Sequence, residues 1–460
     1  MHKIVAEGER GDLTQRIADF TVDLEWRRLD ETVRRAVKRH FFDTVGVIVA
    51  GAAGEIVGQA EHAIGAVRAP GDVPVLGRRR RADILDACYL SATAGHGIEL
   101  DDGYRQGSVH PAVCVIPAAI YAGLSQRISG ESLLEAIVAG YEVMTALAEA
   151  THPEIRRRGF HPTGVLGVIG AAVAAAKLRR LEPQAFRNAL GLAASSAAGL
   201  FSFINGGSDV KRLHAGHAAR EGLQAVLLAQ AQVAAPPNAI EGRDGLLQAF
   251  AFGNATPREV TLPPQVPYRM CDCYIKPYAC CRHLQPAVEA LITLLDEEAV
   301  DPKRIRQIHV ETYAISAEHA HTGWDEYASA QLSFPYVLAL AAKFRRIKIS
   351  HFEREVREDP ALAALCRLVH IEVAPDLDAL YPKLRPARVT VVTDERKYSR
   401  QVMEALGSAQ VPISDEQVTQ KFRELTVPVL GESRSEAVRV RLASIELESD
   451  LSGTVEMLAL

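Results

Sequence analysis

The chain has 460 residues, 48% of them hydrophobic and 24% charged, the composition of a globular protein long enough for two or three domains. Its formal net charge of -5 leaves no basic excess for general nucleic-acid binding, so no nucleic-acid partner is expected. The best apolar run, around residues 163–176, falls short of the ~18 residues that cross a bilayer. The N-terminal MHKIVAEGERGD lacks the apolar core of a signal peptide, so a cytoplasmic location without membrane contact is expected.

From about residue 12 to 265 the sequence predicts helix after helix. GDLTQRIADFTV offers an Asp or Thr cap ahead of apolar residues at helical spacing. ETVRRAVKRHFFDTVGVIVAGA, ESLLEAIVAGYEVMTALAEA and TGVLGVIGAAVAAAKLRRL continue that pattern, and their Ala and Gly content permits close helix–helix approach. Prolines cluster in PREVTLPPQVPYR (257–269), where helical periodicity stops. Beyond it RIRQIHVETYAI (304–315), LVHIEVAP (368–375) and ARVTVVTD (387–394) alternate polar and apolar residues as half-buried strands do. Helices are expected between them at about 284–297 and 327–343. Helix returns at about 414, where SDEQVTQKFREL carries a Ser cap and acidic residues in its first turn, and a last helix is expected near 433–445. The expected fold is mainly α. A large helical domain is formed by both chain ends (1–267 and 406–460), with a smaller α+β lid domain (268–405) inserted between them. A cleft between the two would be the natural ligand site.

Four polar islands interrupt this apolar helical sequence: HGIELDDGYRQGSVHP (96–111), GFHPTG (159–164), SDVKRLHAG (208–216) and YIKPYACCRH (274–283). Charged residues in such surroundings are costly unless they act. His110 and His161 each precede a proline and so avoid the helical region, which suits loop histidines at helix starts in an acid or base role. Lys211 and Arg212 open a helix near Val210, where backbone N–H groups and positive charge favour a carboxylate ligand, and His214 shares that face at i+3. Lys276 and Arg282 lie at the domain junction, where lid closure would bring them against a substrate; Arg suits a bidentate grip on a carboxylate. For Asp101 and Asp102 the alternative to a chemical role is N-capping of the following segment. Cys271, Cys273, Cys280 and Cys281 cluster, but not as the two separated C-x2-C pairs of a zinc ribbon, so no metal is expected. A vicinal Cys280–Cys281 pair lining a pocket, or simply buried, is the better reading.

Together and in this order, the islands resemble the MmgE/PrpD family, which includes 2-methylcitrate dehydratases, cis-aconitate decarboxylases and iminodisuccinate epimerases. The resemblance covers nearly the whole chain. It implies an enzyme without metal or cofactor, usually a homodimer, that removes a proton beside a carboxylate or imine of a small di- or tricarboxylate. It also implies site residues: Asp101 matches the middle acid of the family's DFDD pattern, His110 its HP histidine, and His161 and Lys211 an active-site histidine and lysine. Tyr336, in QLSFPYVLAL, matches a pocket tyrosine. The expected catalytic set is therefore Asp101, His110, His161, Lys211 and Cys281. The expected substrate-binding set is Asp102, Arg212, His214, Lys276, Arg282 and Tyr336. His319 and His321, in AEHAHTGW, are read as loop residues.

Departures from the family pattern narrow the chemistry. Gly103 stands where the decarboxylase branch has Thr, Cys281 where it has His, and the loop from Asp102 to His110 is one residue longer, so cis-aconitate decarboxylation is not expected. A Cys281 thiolate flanked by Lys276 and Arg282 would have a lowered pKa and is a candidate carbon base. The expected function is a 2-methylcitrate-dehydratase-like lyase. The alternatives are an epimerase of an iminodisuccinate-like dicarboxylate and a non-catalytic helical scaffold.

Overall fold

Capped helices with small-residue faces build the bulk of the molecule, in a computed structural model that describes residues 12–205, 209–253 and 258–460. The helices Leu13–Asp23, Glu31–Gly51 and Ile84–His96 are each opened by an aspartate, Asp12, Asp30 and Asp83, whose carboxylate accepts a first-turn N–H. Gly130–Thr151 is capped by Ser129, and Pro162–Leu178 begins on the proline that follows His161. The helix Val210–Gln230 crosses Pro162–Leu178 at close range. A Cβ at Gly222 would stand 2.6 Å from the Ala171 Cβ and 2.7 Å from the Val168 carbonyl, so the crossing requires glycine.

The fold is mainly α, with the β structure concentrated in the later part of the chain. Its four-stranded sheet runs Val369–Val373, Ile305–Thr312, Ala387–Thr393, Lys397–Val402. The first pair is parallel, with Ile308 opposite Val369, and the other two pairs are antiparallel. Lys397–Val402 was not foreseen as a strand, because KYSRQV lies at the sheet edge and has no fully buried face to leave an apolar alternation. The helices Gln285–Glu297 and Phe334–Phe344 pack with this sheet in one core. The stretch expected as one helix at 327–343 is two, Tyr327–Ala330 and Phe334–Phe344, because Pro335 lacks an N–H and is accommodated only in a first turn. A two-stranded ribbon, Val73–Pro74 with Arg81–Ala82, and a final helix, Ser452–Leu458, were also not foreseen.

Two apolar cores result. One gathers residues from Leu13 to Ile275 and again from Ile413 to Leu458; the other runs from Ala279 to Val391 and borrows Val47, Ile98, Leu100 and Leu425. The chain ends meet in the first core. The helix Asp415–Leu430 lies on Glu31–Gly51, with the Phe42 and Phe422 rings 4.5 Å apart. Beneath them the Lys421 ammonium reaches the buried Asp43 carboxylate at 2.7 Å and donates to the Leu100 carbonyl at 3.0 Å, just ahead of the Asp101 position. No single helix among the described residues is long and apolar enough to cross a membrane.

The Lys421–Asp43 pair yields a stability prediction. Lys421→Met should cost about 3–5 kcal/mol, because it strands a buried carboxylate, whereas Lys421→Met with Asp43→Asn should recover most of the loss. Thermal and denaturant unfolding of the three proteins measure this. Equal melting of wild type and the single variant would contradict it.

Candidate active site

The loop after Ile84–His96 carries the ELDD acids, and it is stitched to the junction segment that leads into the second core. Gly103 N–H donates to the Tyr274 carbonyl at 3.2 Å, and Tyr274 N–H donates to the Gly103 carbonyl at 2.8 Å. The Tyr274 phenol fills the space where a Cβ at position 103 would go, which is why this position is glycine. This bridge brings the loop, the N-termini of Pro162–Leu178 and Val210–Gln230, and the junction segment around a cavity of about 730 Å³. Glu99, His110, His161, Lys211, Lys276 and Cys281 are among its lining residues.

At its base lies a charge cluster in which Asp101, His96 and Lys276 are fully buried and His110 and Lys211 partly so. Asp101 Oδ2 is 2.7 Å from His96 Nδ1 and 3.0 Å from His110 Nδ1, while Oδ1 accepts from Lys276 Nζ at 3.2 Å. Lys276, itself 0% exposed, also donates to Glu99 Oε2 at 3.1 Å, and Lys211 pairs with the other Glu99 oxygen. Burial alone would raise the Asp101 carboxyl, but His110, Lys276 and His96 outweigh it and hold the acid well below the usual carboxylate range. Lys211 and Lys276 do the same for Glu99 against its burial. Lys276, which burial would deprotonate, is kept well above its ordinary value by Asp101 and Glu99. Glu99 adopts φ 53°, a left-handed conformation that costs a non-glycine residue of order 1–3 kcal/mol. The two lysines hold it there.

The histidines divide by environment. His110 Nδ1 faces two acceptors, the Asp101 carboxylate and the Asp102 carbonyl at 2.6 Å, so Nδ1 carries hydrogen and Nε2 is left for the cavity. His96 is driven down to about 4 by burial, against the pull of Asp101, and is neutral at pH 7. His161 Nδ1 lies 3.0 Å from His214 Nδ1. Burial, with His96, His214 and Lys211 acting in the same direction, keeps His161 well below the usual histidine range, and burial takes His214 to about 4. Both are therefore neutral, and one ring donates to the other. His96, Asp101 and His110 place ligand-type atoms within 4.8 Å of one another. A metal ion does not fit them, because the Lys276 ammonium already occupies the Asp101 carboxylate and would repel a second cation.

The lid side supplies a second pair. Cys281 Sγ is 3.9 Å from His319 Nε2. Burial would raise the thiol, but the His319 imidazole outweighs it and brings it down to about 7, while Cys281 raises His319 against its burial. His283 stacks beside His319 at 6.2 Å between centroids and contacts the Tyr313 hydroxyl through Nδ1 at 2.6 Å. His319, read from sequence as a loop residue without a role, thus sits on the short turn Glu318–His321 in the cavity wall. Cys280 is buried beside it and pushed up by burial.

Several expected ligands stand elsewhere. Tyr336 is enclosed in the second core, stacked on Trp324 at 6.1 Å, and its hydroxyl donates to the His351 carbonyl at 2.6 Å; its placement in the pocket is corrected. Asp102 accepts from Tyr141 Oη at 2.8 Å and from Ala112 N–H at 3.0 Å, so it anchors the start of helix Ala112–Leu124 behind the cavity wall rather than meeting a ligand. Arg212 is engaged by the Gly97 carbonyl at 2.8 Å, Gln331 Oε1 at 2.9 Å and Asp209, a clamp between the two cores. His214 supports His161. Lys276 and Arg282 do line the cavity. Sequence reasoning passed over His96, whose place inside an apolar helix reads as core, and His319, 38 positions from its cysteine with no spacing signal.

The lid pair makes a pH prediction. Alkylation of Cys281 by iodoacetamide should reach half its maximal rate near pH 7, about 1.5 units below a free thiol. The sign follows from a lowered thiol pKa, which exposes thiolate at lower pH. His319→Gln should move the midpoint upward, and an ordinary midpoint in the wild type would remove the pair. Peptide mapping assigns the modified residue.

Cis-aconitate decarboxylase of Aspergillus terreus is 28% identical over 415 residues, covering 85% of this chain and 84% of that protein. The cis-aconitate decarboxylase-like protein oryM of Aspergillus oryzae is 26% identical over 475 residues, covering 98% and 97%. Cis-aconitate decarboxylase of Mus musculus is 24% identical over 486 residues, covering 97% and 93%. Residues 15–259 match the MmgE/PrpD N-terminal domain and residues 278–447 the MmgE/PrpD C-terminal domain, and the chain belongs to the MmgE/PrpD family.

Proposed function

We propose that this protein is an acid–base lyase that removes a proton beside a carboxylate of a small di- or tricarboxylate and expels hydroxide, a 2-methylcitrate-dehydratase-like reaction needing no cofactor. The observation that carries this reading is the meeting, in one cavity, of an Asp101-oriented His110, a neutral His161, the buried Lys276 and the partly buried Lys211. In the tautomer whose Nδ1 donates to His214, His161 offers Nε2 to a C–H proton. The negative charges of a carboxylate substrate oppose the burial that lowers the His161 proton affinity. Lys276 and Lys211 would face the enolate charge as it develops, and burial of Lys276 strengthens its interaction with that charge. His110, backed by the Asp101 carboxylate that compensates an imidazolium, gives its Nε2 proton to the leaving hydroxyl. The proton on His161 and the water formed balance the substrate's losses.

A second reading has its own support. Cys281 and His319 bring a second proton-exchanging pair from the lid to the same cavity, as an epimerase of an iminodisuccinate-like dicarboxylate would need. Removal by one wall and return by the other leaves the carbon skeleton intact.

The test is NMR in deuterium oxide with 2-methylcitrate, citrate, cis-aconitate and iminodisuccinate. The lyase reading predicts new alkene signals from a hydroxylated substrate, reduced at least 100-fold in His161→Gln. Deuterium in recovered substrate without elimination would establish the epimerase instead. Loss of carbon dioxide from cis-aconitate, or no reaction across the panel, would contradict both.

A further inference from the structure

The cavity is larger than the acid–base cluster needs. At about 730 Å³ it lies in the upper part of the range that holds drug-sized ligands, and it continues past the lysines to Arg282 and Arg385. Its wall also carries apolar and aromatic side chains, Phe201 and Phe203 against His161 and, elsewhere, Leu332 and Tyr381, together with the arginines Arg156, Arg157 and Arg258.

The two arginines are the unusual feature. Arg282 is 7% exposed and donates only to neutral acceptors: Gln285 Oε1 at 2.7 Å, the Leu406 carbonyl at 2.8 Å and the Ala405 carbonyl at 2.9 Å. Arg385 is 6% exposed, donates from Nη2 to the Arg105 carbonyl at 3.3 Å, and leaves Nε buried without a partner. Neither forms an ion pair with a described residue. Of the acids nearby, Glu404 pairs with Arg105 and Glu289 accepts the Leu406 N–H at 2.5 Å, while Asp272 shares a small neighbouring pocket with both arginines without an ion pair to either. Burial drives Arg282 down to about 10, and Arg385 pushes in the same direction, so the two guanidiniums repel each other. Holding two like charges in such a place is costly unless an anion joins them. Lys211 and Lys276 differ in this respect, since Glu99 and Asp101 already neutralise them.

We propose that Arg282 and Arg385 form a second carboxylate-binding subsite, so that the substrate carries carboxylates at two ends with an apolar stretch between them. The planar guanidinium fork matches a carboxylate edge-on, and the aromatic wall accommodates the connecting carbons. Arg385 acts here as a specificity-determining residue. The inference rests on the reading of the cavity as a carboxylate site and extends it to the length of the substrate.

Calorimetric titration tests it without turnover. The probes are straight-chain dicarboxylates from succinate to suberate, monocarboxylates of matching length, and inorganic phosphate. The wild type should bind a dicarboxylate longer than succinate at least tenfold more tightly than the matching monocarboxylate. Arg385→Gln should erase that advantage and the length optimum while leaving monocarboxylate binding unchanged, and Arg385→Lys should restore part of it. Thermal melting of both variants verifies their folding. Equal affinity for mono- and dicarboxylates, an unaltered Arg385→Gln, or a preference for phosphate over every dicarboxylate would overturn the subsite. Because these are equilibrium measurements, failure of the acid–base reading would show only in the deuterium experiment, and failure of the subsite only here.

Discussion

A carboxylate with no exposure to water, Asp101, sets the terms for everything around it. Removed from solvent, it requires positive or donating partners in every direction, and it takes them from three parts of the chain: His96 behind it, His110 after it, and Lys276 from the junction with the lid. Removing Lys276 would leave charge stranded in a low-dielectric interior, a loss of about 3–5 kcal/mol. The arrangement is therefore rigid. It also fixes the tautomer of His110, because a carboxylate and a carbonyl can only accept. Glu99 performs the corresponding service for Lys211 and Lys276, at the cost of a strained backbone.

The same contacts hold the two cores together. Lys276 joins the loop acids across the junction, Gly103 and Tyr274 pair by backbone, and Arg212 ties Gln331 to the helical layer. The groups that hold one core on the other thus stand beside the groups that would do chemistry. Cys281, Arg282 and His319 line one cavity with His110 and His161 at this boundary.

Much of this was legible before any coordinates. The helical periodicity, the proline-rich break, the three alternating strands and the four polar islands each carry a local physical signature. His110 and His161 could be placed at helix starts because the prolines after them forbid anything else. What escaped was long-range or ambiguous. The Cys281–His319 pair and the unpaired Arg385 arise from chain segments far apart, and no spacing announces them. Tyr336 was misplaced because a tyrosine within FPYVLAL satisfies helical core periodicity and a pocket role equally well; burial settles it in the core. Asp102 looked like Asp101's partner in chemistry, yet successive residues face opposite ways, and its carboxylate points back to Tyr141 and the next helix. The edge strand Lys397–Val402 has no apolar face, so periodicity could not reveal it.

The central claim is that the negative charge of Asp101 drives the acid–base work, rather than its shape. The most direct measurement is the rate of reaction of Asp101→Asn on whichever panel substrate the wild type converts, with unfolding followed in parallel. Asparagine preserves the volume and one acceptor oxygen but can neither compensate an imidazolium on His110 nor hold Lys276 charged. Turnover should fall by on the order of 100-fold or more in a protein that still unfolds cooperatively. Turnover within twofold of the wild type would contradict the account.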